Sequence, residues 1–191
     1  MASETELCNE ALLEIGHGVP IISLDQDDPA ARACNRIYAK RRDALLRSHI
    51  WNFAVERVKL AQLSSPPAFG FDNRYQLPSD WLRTISVFNN DAGRGTIEYR
   101  IEGRTIHSDA DELWLRYIRR VTDPNDFDLL FSEALVMRLA WALAQPIAQS
   151  NTLEQLKRDA FRIIVRQARA TDAIEDWPEE MPEGSWVTSR R

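Results

Sequence analysis

One stretch of this chain gathers side chains that could hold a metal ion or move a proton: His107-Ser108-Asp109-Ala110-Asp111-Glu112. A cation site needs oxygen or imidazole ligands that converge. A run like this can supply them only if the backbone folds around the ion. The stretch has neither the glycine nor the ligand spacing of a calcium loop, and no second histidine lies beside it. Acidic residues at a turn between two strands are also ordinary turn chemistry. The remaining candidates are thinner. Glu98, Glu102, Asp109 and Asp111 could furnish a carboxylate pair of the kind that cleaves glycosides. His17 and His49 lack a neighbouring Ser or Cys in a nucleophile context. Gly93-x-Gly95 is too short to cradle a phosphate. Cys8 and Cys34 are too few for a zinc site or a disulfide framework and fall on apolar helix faces. The sequence thus points away from an enzyme and implies no cofactor.

Composition narrows the class further. The chain has 191 residues, 44% of them hydrophobic and 28% charged, which suits a soluble globular protein. Its formal charge of -5 argues against a general nucleic-acid binder. The opening Met1-Ala2-Ser3-Glu4-Thr5-Glu6 is acidic and polar, unlike a secretory signal. Every apolar run is well short of the ~20 residues a membrane span needs. The expectation is a protein made in a cytoplasm and soluble there.

The elements that position these residues can be read from caps and periodicity. Ser3 and Glu6 form a capping box ahead of the stripe Leu7, Cys8, Ala11, Leu12 and Ile15, with Gly16 or Gly18 as the stop and Pro20 beyond. A second helix opens at Asp28-Pro29. Its apolar face is expected to be Ala30, Ala33, Cys34, Ile37, Ala44 and Leu45, which places Arg41 in the middle of that face. Either the Arg41 stem packs while its guanidinium reaches water, or it makes a buried or inter-subunit ion pair. Arg32, Arg36, Lys40, Arg42 and Arg47 spread over the opposite face, which is either simply solvated or docks an acidic partner. A third helix is expected from Phe127 to Gln145. Arg138 is the only charge in its apolar stretch from Ala134 to Ala144, so the helix must be central, with Pro146 ending or kinking it. A fourth opens at Asn151 with Glu154 in the capping position and the stripe Leu153, Leu156, Ala160, Ile164 and Ala168.

Between the helix pairs the pattern switches to period two. Thr96–Ile101 alternates, Glu102-Gly103 turns, and Arg104–His107 returns, which predicts a hairpin. Leu113–Arg120 and Ile85–Phe88 read as further strands, and Trp51–Ala54 as a strand leaving the second helix. Residues 89–95 form a loop or hairpin tip. The amphipathic strands predict that one side of this sheet meets the helices or a neighbouring subunit. The fold class is therefore α+β. A discontinuous four-helix domain (1–50 and 125–175) carries an inserted antiparallel β-rich domain (51–124) and an extended C-terminal tail (176–191). That tail is acidic and proline-rich, yet carries Trp177, Met181, Trp186 and Val187 before Arg190 and Arg191. Tryptophan and arginine are enriched at interface hot spots, so the tail is expected to order on a neighbour or partner.

The order of these features resembles the head-to-tail adaptors of short-tailed bacteriophages, the tail tubular protein A family. The likeness lies in Asn9-Glu10-Ala11-Leu12-Leu13-Glu14-Ile15-Gly16, then Val19-Pro20 with its acidic loop and Ala30-Ala31-Arg32-Ala33. It continues in Trp51-Asn52-Phe53-Ala54, in Leu77-Pro78-x-Asp80-Trp81-Leu82-Arg83 and in Arg100-Ile101-Glu102-Gly103-Arg104. It spans most of the chain but rests on scattered apolar, Trp and Gly positions, and Arg41 departs from the aliphatic residue that face would favour.

The resemblance implies a structural virion protein, located in the tail at the head–tail junction. About twelve copies would close a ring between the portal and the tail nozzle. DNA would pass through the lumen without sequence-specific binding, and an acidic chain would not grip its phosphates. A chain that stays monomeric until assembly is compatible with this role. The residues expected at partner interfaces are Arg36, Arg42 and Arg47 on the second helix, Arg94 in the 89–95 loop and Arg104 in the 100–106 hairpin. In the tail they are Trp177, Met181, Trp186, Val187, Arg190 and Arg191. Two other classes are a tail-borne cell-wall hydrolase, which needs the carboxylates above, and a DNA-binding accessory protein, which the charge disfavours.

Overall fold

A computed structural model describes residues 3–95 and 97–175. It shows an α+β fold of four helices and two three-stranded antiparallel sheets. Helix α1 (Glu4–Glu14) starts where the Ser3 hydroxyl accepts from the Glu6 amide, and helix α2 (Pro29–Arg47) where Asp28 caps Ala30 and Ala31. Helix α3 (Leu129–Ala148) begins two residues later than the sequence suggests, capped by Asp128, and runs through Pro146. Lacking an N–H, Pro146 cannot bond the Ala142 carbonyl, and the helix continues only two residues beyond it. Gln149, in the left-handed conformation at φ 51°, ends that helix and leads into α4 (Asn151–Glu175). The Ser150 hydroxyl accepts from the Leu153 amide, so the cap lies one residue before Asn151.

The first core lies between the helices. Leu7, Cys8, Ala11, Leu12 and Ile15 all bury as their spacing predicts, against Phe131, Leu135, Leu139 and Leu143 of α3. Cys8 and Cys34 are buried free thiols; the hydrogen bond with Cys34, then burial, pushes the Cys8 thiol far up, so it stays protonated. The face of α2 differs from expectation. Its buried residues are Ala30, Ala31, Cys34, Tyr38, Arg42, Leu45 and Leu46, rotated about one position from the predicted stripe. The reason is that α2 packs against α1, α3 and the sheet together, so two flanks are covered rather than one. On α4 the correction is similar. Val165, Ala168 and Asp172 are buried, whereas Leu156 is 58% exposed.

The strands also divide differently. Trp51–Ala54 is not a strand: Asn52–Ala54 is a short 3₁₀ turn, and β1 (Val55–Lys59) follows it. The Trp51 ring buries fully, its N–H donating to the Leu45 carbonyl at 3.0 Å, and it meets Phe131 edge-on. The remaining strands are β2 (Asn73–Gln76), β3 (Trp81–Phe88), β4 (Arg100–Glu102), β5 (Thr105–Ser108) and β6 (Trp114–Arg119). One sheet has the order β1-β6-β3 and the other β2-β5-β4. The turn at Gly103, with φ 60°, closes the β4–β5 hairpin as its Glu-Gly sequence predicts, though residues 97–99 form no strand. A second core joins the two sheets through Leu60, Tyr75, Leu77, Val87, Ile106, Leu113, Leu115 and Tyr117. Leu82 and Ile118, at the helical end of the first sheet, belong to the helical core instead.

Candidate partner-binding surfaces

The arginines expected to meet partners have distinct fates. Arg42 is only 5% exposed, so it cannot present a free cation to another chain. Its Nε donates to Asp43 at 3.0 Å and its Nη1 to Glu4 at 3.4 Å, while the other oxygen of Asp43 accepts from Arg120 at 2.7 Å. Asp43 thus bridges two arginines and fastens α1, α2 and the end of β6. Arg47 is spent on structure. Its guanidinium donates to the Leu82 carbonyl and lies over the Trp81 ring, tying α2 to β3. Arg104 likewise donates to the Pro78 carbonyl, and its own carbonyl accepts from Leu77 and Gln76. Arg36 is exposed on α2 and makes no ion pair among the described residues. Arg94 is exposed at the loop tip, where Asn90 closes the turn through bonds to the Arg94 amide and carbonyl. Trp177, Met181, Trp186, Val187, Arg190 and Arg191 lie outside the described residues.

The loop 89–95 forms one wall of a groove of about 1050 Å³ over the open face of the first sheet. Arg57, Arg116 and Ser86 stand in register across its floor, with Phe88 and Trp114 next along the strands. Arg57 and Arg94 with the Phe88 and Trp114 rings give this face a composition suited to an acidic polypeptide, and Asp91 is the acid in its wall.

The catalytic candidates are each engaged locally or exposed among the described residues. His107 is buried, its ring contacting the Thr105 hydroxyl at 3.1 Å and approaching Glu102 at 3.7 Å. Asp109 accepts from the Asp72 amide and Glu112 pairs with Lys59, so these carboxylates serve the turns. Glu98, Glu102, Asp109 and Asp111 are all exposed, Asp109 and Asp111 together in the turn between β5 and β6 and the two glutamates outside it. Among the described residues no group of three His, Cys, Asp or Glu could hold a metal ion, and no helix is long and apolar enough to cross a membrane.

Sequence reasoning missed the residue that ties the halves together. Asp172 on α4 is buried, with Oδ2 at 3.1 Å from His49 Nε2 and Oδ1 accepting from the Asn52 amide at 3.0 Å. Its carbonyl accepts from the Asn52 side chain at 2.8 Å. Burial lowers the His49 pKa below its ordinary value, aided by Arg169 and Arg83, against the opposing pull of Asp172. The available signal was position: Val165, Ala168 and Asp172 fall on one helical face, so an acid there needs an internal partner.

The outer face of α4 carries a different signal. Leu156, Ile163 and Ile174 are 58%, 66% and 82% exposed. With Ala170 they fall within about 40° of one another around the helix axis, by the ~100° per residue of an α-helix. Compared with known proteins, the chain matches no family model and no curated protein.

Proposed function

We propose that this chain is a head-to-tail adaptor of a short-tailed bacteriophage, a structural virion protein of the tail whose copies form a ring between portal and nozzle. The observation that carries the assembly part of this reading is the outer stripe of α4. A row of exposed aliphatic residues along a 25-residue helix is a surface awaiting another helix. The sequence resemblance supplies the viral context, and the basic groove beside loop 89–95 offers a second docking surface for an acidic segment of the nozzle. Portal contact falls to the helical half, where Arg36 is the one of the three expected α2 arginines that is exposed without a bond among the described residues. DNA passes through the lumen, and the role requires no catalysis.

The test is to mix the full chain with the portal ring of the same virus and image the product by electron microscopy. A ring stacked on one face of the portal is the expected result, and Leu156→Asp with Ile163→Asp should abolish it while leaving the circular dichroism spectrum unchanged. No association at any salt concentration, with both components folded, would overturn the reading.

A further inference from the structure

Two arginines that stood out in the sequence, Arg41 as a misfit on α2 and Arg138 as the lone charge of α3, line the same pocket. It measures about 400 Å³ and is walled by Trp141, Ala142, Gln145, Pro146 and Glu154. The Arg138 guanidinium lies 4.2 Å from the Trp141 ring centre and 5.1 Å from that of Phe161. Arg158 approaches the other side of the cluster, 5.6 Å from Trp141. Among the described residues neither Arg41 nor Arg138 has an ion pair or hydrogen bond. The one carboxylate in the wall, Glu154, is turned to the Trp141 indole N–H at 3.3 Å. Half-buried guanidinium groups that face each other without a counter-charge repel, and burial together with Arg41 makes the Arg138 cation harder to keep. A bidentate carboxylate would satisfy both.

We infer that this pocket receives the acidic segment Asp176–Glu183 of a second copy of the same chain. The chemistry matches on both counts. The segment offers Asp176, Glu179, Glu180 and Glu183 to the arginines, and Trp177 and Met181 to the Trp141 and Pro146 surfaces. Reach favours a neighbour over the same chain. Phe161 lies about 20 Å along α4 from Glu175 at ~1.5 Å per residue. An extended chain gains only about 3.4 Å per residue, so on their own copy Asp176, Glu179 and Glu180 fall short and only Glu183, about 27 Å out, spans that distance. The inference rests on the ring reading for its setting, but its test needs no portal.

A photoreactive benzoylphenylalanine placed at Gln145, at the exposed rim of the pocket, is incorporated into the full chain. Normal and heavy-isotope copies are mixed at high concentration, irradiated and mapped by mass spectrometry. Cross-links from position 145 to residues 176–187 that join a light copy to a heavy one are expected. They should be lost in Arg138→Gln, and in the triple variant Glu179→Gln, Glu180→Gln, Glu183→Gln, with the fold checked by circular dichroism. Cross-links confined to one copy, cross-links that survive Arg138→Gln, or none reaching 176–187 would each overturn the inference. A ring that fails to form on the portal while these cross-links persist would instead remove the adaptor reading alone.

Discussion

Arg41 and Arg42 are neighbours on α2, and the regions beneath them contrast sharply. Under Arg42 the chain has assembled a closed ion network: Glu4 from α1, Asp43 from the next position, and Arg120 from beyond β6. Under Arg41 it has assembled the reverse, a second arginine and an aromatic wall without a free carboxylate. The two sites use the same residue type at adjacent positions of one helix, Arg42 buried and Arg41 half-buried. The difference lies in the counter-charge: removing Arg42 would strand carboxylates that the chain already holds against it, whereas Arg41 has no ion pair among the described residues to lose.

The comparison can be broken most directly at Arg42. Arg42→Met keeps the aliphatic stem but strands Glu4 and leaves Asp43 with one arginine. It should cost about 3 kcal/mol, at the lower end for a broken buried pair because Glu4 and Asp43 are partly solvated. The midpoint of thermal unfolding would then fall by roughly 6–12 °C for a chain of this size. A shift of less than a degree or two would mean the network is ornamental. Next in size is Asp172→Asn, which keeps the shape but removes the charge facing His49. A loss of about 1–2 kcal/mol in urea unfolding is expected, the cost of weakening a buried bonded carboxylate.

A smaller effect lies in pH. The folded His49 pKa is depressed, so near and just below the ordinary histidine value the unfolded chain binds more protons than the folded one. Stability is then fully present above that value, about 6.5, and declines as pH falls towards the depressed pKa. Unfolding free energies measured at a series of pH values should show this slope, and His49→Gln should flatten that part of it. The smallest effect is expected at the opposing site. Arg138→Gln loses ring stacking but relieves repulsion from Arg41, so stability should change by less than ~1 kcal/mol. A loss as large as that of Arg42→Met would erase the distinction between the two regions.

Local signals were legible in the sequence and long-range ones were not. The caps at Ser3 and Asp28 and the turn at Gly103 depend on a few adjacent residues, and the structure has them where their chemistry requires. The phase of α2 depends on which of its flanks are covered, which no residue of α2 encodes alone. Arg42 could be buried only because Asp43 and Glu4 were there to meet it. Strand β6 sits between β1 and β3, two segments far from it in the chain, so the split into two sheets was invisible to period-two patterning. The pocket at Arg41 was half visible: both arginines stood out as misfits, but their meeting needed α2 packed on α3.

Asp172 gives the molecule a mechanical property. It fastens α4 to His49 and Asn52, at the crossover where the helical half hands over to β1. Any pull on the chain beyond Glu175 therefore reaches this knot within one turn of helix. The load would pass into the α2–β1 crossover and the sheet before it could peel α4 from α3. A tug on the C-terminal end is thus felt first at the seam between the two halves, and Asp172→Asn should lower the force at which α4 detaches.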